Sequence, residues 1–472
     1  VQESTMKGMT LEAVAKACGG IYHGSDGNKI KEVSAITTDS RQIQPQGMFI
    51  AIKGARSDGH AYIDSCYEKG ALCCISEQEL PGEKRPYIQV ESSLQALKDI
   101  AQLYRANLDI KVVGITGSVG KTSTKETIAA VLSQKYKVLK TQGNFNNEIG
   151  LPITIFGLEK EHEAAVLEMG MNHFGEIEHL ADIGRPDVAV ITNIGQSHIE
   201  NLGSREGIFK AKMEMTKLFT KDNTLIVNGD DDYLSKTKGM GEYKVVYYGI
   251  TNPENDVYAK DIENNGLNGI KFTAVVDGGE YPIEVNIPGK HNVYNALAAI
   301  CVGREFDVPM DKIAEGIRSF ELTKMRLAVE EYNGITIIND CYNASPDSIK
   351  AALGVLADTD KNRKVAILGD VLEMGDFAKD AHYNLGKAVK ENGVDLLITA
   401  GENMKYLAQG AKDNGVENIV SFDKTLEVCN YVKDEIKSGD AVLIKASRGM
   451  HFEEVYDFFY DDYNYLADFS FG

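Results

Sequence analysis

The chain has 472 residues, a formal net charge of −20, and a composition of 43% hydrophobic and 25% charged residues. Such a length accommodates about three domains of ~150 residues, each with its own hydrophobic core. The acidic balance argues against nucleic acid as a partner, because binding DNA or RNA requires clustered Lys and Arg. The seven cysteines are scattered and include no Cys-x-x-Cys pair, which indicates reduced thiols rather than a disulfide framework.

Membrane segments are not indicated by the sequence. No apolar run approaches the ~18 residues needed to span a bilayer, and the first residues contain no signal-peptide core. We therefore expect a cytoplasmic protein without a membrane span. Residues 1–5 precede the first methionine, Met6, and are not included in the fold prediction.

The elements change in character along the chain. The first part has short elements with turn residues every few positions, and it ends in a helical segment at 92–107. From Lys111 onward, short apolar strands alternate with amphipathic helices, which predicts a mostly parallel sheet covered on both faces. A second alternating series begins near Ile335 and has five strands at roughly 25–30 residue intervals, typical of a doubly wound domain.

These patterns predict an α/β protein of three domains. A small α/β N-terminal domain covers residues 6–108, and a central domain with a mostly parallel sheet covers residues 109–321. A Rossmann-like, doubly wound C-terminal domain covers residues 322–472. The second boundary follows an amphipathic helix that contains Ile313 and Ile317.

The string GSVGKT lies between an apolar strand and a helix, which predicts a phosphate loop and makes the central domain a phosphate-loop ATPase domain. The loop glycines let backbone N–H groups surround phosphate oxygens, Lys121 can reach the outer phosphates, and the Thr122 hydroxyl can hold Mg²⁺. The first Gly of the general pattern is replaced by Ile115. The predicted nucleotide-binding residues are Gly117, Ser118, Val119, Gly120, Lys121, Thr122 and Ser123.

Three further residues of the central domain carry candidate chemistry. Glu168 ends an apolar strand, where a carboxylate often meets Mg²⁺ in such folds; a solvated strand-end glutamate is the alternative. His198 follows another strand, although a lone loop histidine is more often structural. Lys212 lies in a helical stretch with several lysines, where a solvated surface lysine is the simpler interpretation.

Several longer strings follow one another along this chain: TGSVGKTS, GNFNNEIGLP, LEMG, SHIENLGS, KAKMEM, GKHNVYNALAA and MRLAVEEYNGITIINDCYNASPDS. In this order they resemble the Mur ligase family, the ATP-dependent amino-acid and peptide ligases of peptidoglycan precursor synthesis. The resemblance runs from about Ile36 to Val455. Within the family, NDCYNASPDS, LGDVLEMG and KASRGMHFEEV are similar to the member that adds a dipeptide, and the Asp-Asn-Pro-Arg-type motif of the neighbouring enzyme is absent.

The resemblance implies a reaction. The chain would join D-alanyl-D-alanine to UDP-N-acetylmuramoyl-tripeptide through an acyl-phosphate, releasing ADP and phosphate. The cofactors implied are ATP, two Mg²⁺ ions and a carbamylated lysine at Lys212. A carbamate is an anionic oxygen ligand, whereas an ammonium group would repel two divalent metals.

The resemblance also implies roles for individual residues. The catalytic residues would be Lys121, His198, Lys212 and Asn147, and the metal ligands Thr122, Glu168, His198 and Lys212. Asn292 would hydrogen-bond the adenine, with Asn295 supporting it. Arg326 would contact a phosphate and Asp340 the ribose. The reaction site would be lined by Asn146 and Asn147. The uridine diphosphate end of the substrate would be bound by Ser40, Arg41 and Lys53. The peptide end would be bound by Tyr342, Asn343, Lys445, Ser447 and Arg448.

Two alternatives stay open at this point. Another ligase of the same superfamily, of amino-acid-adding, folylpolyglutamate or cyanophycin type, would differ in its acceptor. A nucleotide-gated binding protein would need the phosphate loop but not His198, Lys212 or Asn292. The sequence does not distinguish lysine from diaminopimelate at the third peptide position, and a monomer is the simplest expectation.

Overall fold

The computed structural model describes residues 5–55, 57–321 and 325–459. The predicted start of the C-terminal domain at residue 322, and its last residues 460–472, lie outside the described residues. Within the described part, three sheets form, one in each of the predicted domains. No helix of this part combines the length and the apolar composition that crossing a membrane requires.

The N-terminal sheet has five short strands in the order β1-β5-β4-β3-β2, and its β1–β5 pair is antiparallel. Its elements are α1 (Leu11–Ala17), β1 (Ile21–His23), α2 (Asp26–Lys29), β2 (Ile36–Thr37), β3 (Met48–Ile50), α3 (Ile63–Glu68), β4 (Cys73–Ser76), β5 (Tyr87–Gln89) and α4 (Ser93–Ala106). The helix α4, predicted at 92–107, begins at its N-cap Ser92. It buries Leu97 and Ile100 in a core that continues into the central domain, so α4 joins the two domains.

The central sheet has nine strands in the order β14-β13-β12-β11-β10-β9-β6-β8-β7. Its first elements are β6 (Lys111–Thr116), α5 (Lys121–Leu132), β7 (Val138–Lys140), α6 (Gly150–Phe156), β8 (Ala164–Glu168), α7 (Glu176–Gly184), β9 (Val188–Ile191), α8 (Ile199–Leu202) and α9 (Arg205–Met213). The rest are β10 (Thr224–Asn228), β11 (Lys244–Gly249), β12 (Val257–Asn264), β13 (Ile270–Val276), β14 (Gly279–Val285), α10 (His291–Glu305) and α11 (Met310–Ser319).

Both faces of the parallel part are covered, as the uninterrupted apolar strands predict. Val113 and Ile115 of β6 belong to one core with residues of α5, α10 and α11. Val112, on the opposite face of the same strand, belongs to the core that includes α4, α6 and α7. Because β6, β8, β9 and β10 are parallel, their carboxyl ends lie at the same edge of the sheet. This is the edge where α/β folds place their ligands.

The antiparallel strands β12, β13 and β14 are an addition that the predicted parallel sheet did not include. Their residues alternate between buried and exposed, as in a sheet with one solvated face. Asp277 and Gly278 both have positive φ in the tight turn between β13 and β14. This Asp-Gly pair is the sequence signal that could have indicated the hairpin.

The C-terminal sheet has six strands in the order β15-β16-β20-β17-β18-β19. Its elements are β15 (Ala328–Tyr332), β16 (Ile335–Asn339), α12 (Pro346–Ala357), β17 (Arg363–Gly369), α13 (Ala378–Glu391), β18 (Leu396–Ala400), α14 (Met404–Asp413), β19 (Ile419–Phe422), α15 (Thr425–Glu435) and β20 (Asp440–Lys445). The five predicted strands are parallel and confirm the doubly wound prediction. The added edge strand β15 pairs with β16 through an Asn333-Gly334 turn and is antiparallel.

Candidate active site

A cavity of about 480 Å³ lies between the central and C-terminal domains. Its central wall includes Ser118, Val119, Gly120, Lys121, Thr122, Ser123, Asn146, Asn147, Glu168 and His198. Its C-terminal wall includes Arg326, Asp340, Tyr342, Asn343, Lys445, Ser447 and Arg448. One cavity therefore brings together most of the residues predicted for the nucleotide, the metals and the peptide.

The phosphate loop is held in shape by the segment that follows β9. Oγ1 of Thr192 donates to the carbonyl of Val119 at 2.7 Å, and the N–H of Val119 donates to Oδ1 of Asn193 at 2.9 Å. Gly120 precedes α5 with a φ of +84°. At Gly117, where φ is +156°, a Cβ atom would lie 1.8 Å from Oγ1 of Thr192. The loop therefore requires glycine at position 117.

Lys121 begins α5, and its ammonium group donates to the carbonyl of Gly117 at 3.0 Å. Burial lowers the pKa of Lys121, an effect that Glu168 opposes and Arg326 reinforces. An anionic phosphate at the N-terminus of α5 would favour the charged form of this lysine. The arrangement suits binding of a polyphosphate.

Glu168 ends β8 and is 2% exposed. Its Oε2 accepts a hydrogen bond from Oγ1 of Thr122 at 3.0 Å, and its Oε1 accepts one from Nδ2 of Asn146 at 3.0 Å. The ammonium group of Lys125 lies 3.9 Å from Oε2 and donates to the carbonyl of Thr141 at 2.7 Å. A carboxylate beside a loop hydroxyl is an oxygen pair of the kind that Mg²⁺ prefers.

Asn147 lines the cavity and also has a structural role. Its Oδ1 accepts the N–H groups of Ile149 at 3.1 Å and Gly150 at 2.8 Å, at the start of α6. These bonds satisfy backbone donors that have no partner within the helix. The amide therefore fixes the turn that presents Asn146 to Glu168.

Lys212 is 2% exposed on α9, so the alternative of a solvated surface lysine is wrong. It makes no hydrogen bond or ion pair with residues 5–55, 57–321 or 325–459. Burial, reinforced by the charge of Lys121, lowers the pKa of Lys212 well below its ordinary range. Lys212 is not among the residues that line the cavity. An unpaired buried lysine favours its neutral amine, because a buried cation without a partner is costly.

His198 precedes α8 with a φ of +63°. Its Nδ1 lies 2.6 Å from Oε2 of Glu373 in the C-terminal domain, within ion-pair distance although the angle is not that of a hydrogen bond. The contact with His198 lowers the pKa of Glu373. The predicted metal ligand is therefore in contact with a residue of another domain.

Arg326 and Arg448 both lie against the ring of Tyr342. Cζ of Arg326 is 4.1 Å and Cζ of Arg448 is 5.9 Å from the ring centroid, distances typical of cation–π contacts. The aromatic ring thus orients two guanidinium groups along the same cavity wall. These groups can bind phosphate or carboxylate oxygens.

Asp340 and Lys445 form a buried ion pair, with Nζ of Lys445 2.6 Å from Oδ2 of Asp340. Lys445 also donates to the carbonyl of Asn343 at 2.9 Å, so its ammonium group stabilises the loop around Asn343. Oγ of Ser447 accepts the N–H of Leu372 at 2.9 Å. The charged groups predicted for the ribose, on Asp340, and for the peptide, on Lys445, are therefore already partnered inside the protein.

Asn292 and Asn295 lie at the start of α10 and are buried. Nδ2 of Asn292 donates to the carbonyl of Pro288 at 2.7 Å, and its Oδ1 accepts from Asn295 at 2.8 Å. Oγ1 of Thr124 then donates to Oδ1 of Asn295 at 2.9 Å. The pair connects α10 to the phosphate-loop helix and lies outside the cavity lining.

Ser40, Arg41 and Lys53 lie on the N-terminal domain, and none of them lines this cavity. The guanidinium group of Arg41 is held by Asp39 through bonds of 2.9 and 2.7 Å, which lower the pKa of Asp39 to about 2. The preceding strand β2 contacts α6, next to the loop of Asn147. The structure thus places this segment near the reaction-site loop but not in the cavity.

Sequence reasoning missed three residues at the cavity or beside it. Glu373 lies in the string LGDVLEMG, which contributed to the family resemblance without any residue role. His291 precedes the predicted Asn292 and lines the cavity. Oδ2 of Asp347 lies 2.3 Å from where a Cβ atom of Gly195 would be. All three lie in strings that carried the family resemblance, but no role was predicted for them, because their contacts form only where the domains meet or at the start of α10.

The fold and the site define an α/β protein with a phosphate loop in its central domain and a cavity that residues of a second domain complete. Sequence models of the Mur ligase family match most of the chain: the Mur ligase family catalytic domain at 32–105, the middle domain at 115–303 and the glutamate ligase domain at 325–448. The chain belongs to the Mur ligase family.

Individual relatives agree with this assignment. The UDP-N-acetylmuramoyl-tripeptide--D-alanyl-D-alanine ligase of Bacillus subtilis (strain 168) is 39% identical over 428 residues, covering 90% of this chain and 92% of the relative. MurF from Acinetobacter baumannii superposes with a TM-score of 0.85 at 30% identity, covering 95% and 98% of the two chains. MurF ligase from Thermotoga maritima in complex with ADP gives 0.79 at 30% identity, covering 90% and 96%. The predicted family, the three-domain α/β fold and the ligase class are confirmed.

Proposed function

We propose that this chain joins D-alanyl-D-alanine to UDP-N-acetylmuramoyl-tripeptide in an ATP-dependent step of peptidoglycan precursor synthesis that releases ADP and phosphate. One observation carries the proposal: a single cavity holds the phosphate loop of one domain and the arginines of another. The substrates are those named for the Bacillus subtilis relative. The proposal includes three domains with the limits 6–108, 109–321 and 322–472. It also includes a monomeric state and a location in the cytoplasm, where ATP and nucleotide-linked sugars occur.

The oxygen pair of Thr122 and Glu168 fits a first Mg²⁺. Among the residues that the structure describes, no group of three or more His, Cys, Asp or Glu side chains could hold a metal alone. A site with few protein ligands suits Mg²⁺ in a nucleotide complex, because phosphate oxygens and water supply the others. When bound, Mg²⁺ would neutralise charge on the phosphates.

A second Mg²⁺ would be held by His198 and by Lys212 as its carbamate. Only a neutral amine reacts with CO₂, and the burial of Lys212 favours that form. Carbamylation would turn an unpaired buried amine into an anionic oxygen ligand. It would also remove the repulsion between Lys212 and Lys121.

The reaction has two group transfers. The γ-phosphoryl group of ATP passes to the terminal carboxylate of the tripeptide: its P–O bond to the carboxylate forms while its P–O bond to the leaving ADP breaks, with Lys121 and Arg326 beside the transferred charge. The amine of D-alanyl-D-alanine then attacks the acyl carbon, a C–N bond forms, phosphate leaves with the C–O bond electrons, and the new amide nitrogen releases a proton to phosphate or solvent. Asn146 and Asn147 would orient the reacting groups, and docking of the C-terminal domain would exclude water from the acyl-phosphate.

The remaining residues bind the ends of the substrates in this proposal. Ser40, Arg41 and Lys53 receive the uridine diphosphate, and Tyr342, Asn343, Lys445, Ser447 and Arg448 shape the peptide end. Asn292 and Asn295 support the adenine, and Asp340 the ribose. Asp340 can do so only by sharing its carboxylate with Lys445, to which it is paired.

The test is release of inorganic phosphate from ATP and Mg²⁺. We expect release to require both UDP-N-acetylmuramoyl-tripeptide and D-alanyl-D-alanine, to fail with L-alanyl-L-alanine, and to disappear in Lys121→Ala. Tripeptides ending in lysine and in diaminopimelate are compared in parallel. Release at full rate without dipeptide would favour the nucleotide-gated binding protein, and release dependent on glutamate would favour a folylpolyglutamate-type ligase.

A further inference from the structure

We propose that Glu373 is a positioning residue, which holds the imidazole ring of His198 from across the domain interface. The ring then has its working orientation only while the C-terminal domain is docked on the central domain. The inference rests on the proposed function, because that function places His198 at the reaction site.

The contact joins two residues with unusual backbone conformations. Nδ1 of His198 lies 2.6 Å from Oε2 of Glu373, and both residues adopt left-handed φ values, +63° and +61°. Non-glycine residues in this region cost free energy and persist only where the surrounding structure imposes them. Two such residues in contact indicate that both backbones are set for this one interaction.

The backbone leading to Glu373 is fixed by its own domain. The N–H of Val371 donates to Nε2 of His382 at 3.1 Å, and the N–H of Leu372 donates to Oγ of Ser447 at 2.9 Å. His382 is fully buried. The carboxylate is therefore presented to the central domain by a rigid loop.

His198 in turn lies on a segment that is tied to the phosphate loop. The N–H of Gly195 donates to Oγ of Ser118 at 2.8 Å, and Oγ of Ser197 donates to the carbonyl of Ser118 at 3.2 Å. The segment 195–198 thus contacts the nucleotide site on one side. Through His198 it contacts the C-terminal domain on the other.

Two close approaches flank the contact. Oδ2 of Asp347 lies 2.3 Å from the position that a Cβ atom on Gly195 would take. Cγ of Glu200 lies 2.8 Å from the position that a Cβ atom on Gly375 would take. The short helix α8 packs on residues 375–377. The central and C-terminal domains therefore meet along the segment from Gly195 to Glu200. Within this segment, His198 contacts Glu373 of the C-terminal domain.

The chemistry of imidazole gives this contact a consequence. The negative charge of a carboxylate 2.6 Å from Nδ1 favours a proton on that nitrogen even at an angle unlike that of a hydrogen bond, and it leaves the lone pair on Nε2. A ring held in this way can offer Nε2 to a metal ion or a reacting group without first reorienting. Loss of such an outer partner typically lowers activity or metal affinity by about 10- to 100-fold.

The experiment compares Glu373→Ala, Glu373→Gln and the exposed control Glu417→Ala by kinetics and by ¹⁵N correlation spectra of the histidine rings. His198→Gln identifies the His198 signals. We expect Glu373→Ala to lose the Nδ1–H tautomer of His198 in the protein without ligands, and to lower kcat by about 10- to 100-fold with little change in KM for ATP. Glu373→Gln keeps the length of the side chain but not its charge, so it should retain more of both than Glu373→Ala and less than wild type.

An unchanged His198 signal or an unchanged kcat in Glu373→Ala overturns the inference. The spectra separate this failure from failure of the proposed function. If wild type showed no dipeptide-dependent phosphate release, the proposed function would fall while the tautomer measurement still reported on the Glu373–His198 contact.

Discussion

Oγ1 of Thr122 donates a hydrogen bond of 3.0 Å to Oε2 of Glu168, which joins the first turn of the phosphate-loop helix to the end of the neighbouring strand. This bond links a hydroxyl that is expected to hold Mg²⁺ with the one buried carboxylate beside it in the described part of the site. The pair is therefore the most direct place to test the proposed Mg²⁺ site.

Glu168→Gln keeps the shape of the side chain but removes its negative charge. We expect ligase activity to fall on the order of 100-fold, and the Mg²⁺ concentration for half-maximal activity to rise, because metal stabilisation contributes several kcal/mol. A magnesium titration of phosphate release measures both. The exposed Glu161→Gln is the control and should behave as wild type; a Glu168→Gln enzyme with an unchanged magnesium curve would contradict the assignment.

Lys212→Ala should lose most activity, because the proposed carbamate is lost with the amine. A short carboxylic acid, added with bicarbonate, should restore part of it by occupying the vacated space with an anionic oxygen ligand. Lys210→Ala, on the exposed side of the same helix, should keep its activity and show no response to the acid. Full activity in Lys212→Ala would remove the carbamate from the mechanism.

Gly117→Ala should distort the phosphate loop, because the new Cβ atom would lie 1.8 Å from Oγ1 of Thr192. We expect a loss of roughly 1–3 kcal/mol in stability and a higher KM for ATP. Gly239→Ala is the matched control: its φ is also positive, at +86°, but no atom lies within 4 Å of the added Cβ. Melting curves and ATP kinetics of the two variants distinguish a steric clash of the added Cβ atom from backbone strain. If both variants behaved alike, the proposed clash with Thr192 would be contradicted.

We expect His291 to make the stability of the folded protein sensitive to acid. Burial lowers its pKa to about 4, with Asp340 opposing and Lys445 reinforcing the effect. An unfolded histidine titrates near ~6.5, so between about pH 6.5 and 4 the unfolded chain binds more protons, and stability is lost as the pH falls. The loss approaches roughly 3 kcal/mol at the lower end of this window.

Melting temperatures measured from about pH 7.5 to 5 test this linkage. His291→Gln should lose less stability than wild type on acidification, because it has no histidine to protonate on unfolding. The exposed His179→Gln should follow the wild-type curve. Parallel curves for wild type and His291→Gln would show that His291 does not contribute.

Local patterns were sufficient for much of the fold. The strand Lys111–Thr116, the loop after it and the start of α5 were all predicted, because a strand buried on both faces is uniformly apolar and a phosphate loop has its own short motif. The five parallel strands of the C-terminal sheet, predicted to begin near Ile335, are also present and begin at Ile335. Each of these features depends on residues that are neighbours in the chain.

The contacts that assemble the site depend on distant residues. Lys445 and Asp340, predicted to bind different substrates, pair with each other across 105 positions. The burial of Lys212 and the contact of His198 with Glu373 likewise follow from how helices and domains pack. The ordered motifs and the family resemblance they carry indicated which side chains are expected to carry the chemistry, whereas local patterns alone left His198 and Lys212 with a structural interpretation. Their partners, burial and pKa shifts come from long-range packing, because a charge acquires its environment only when separate elements meet.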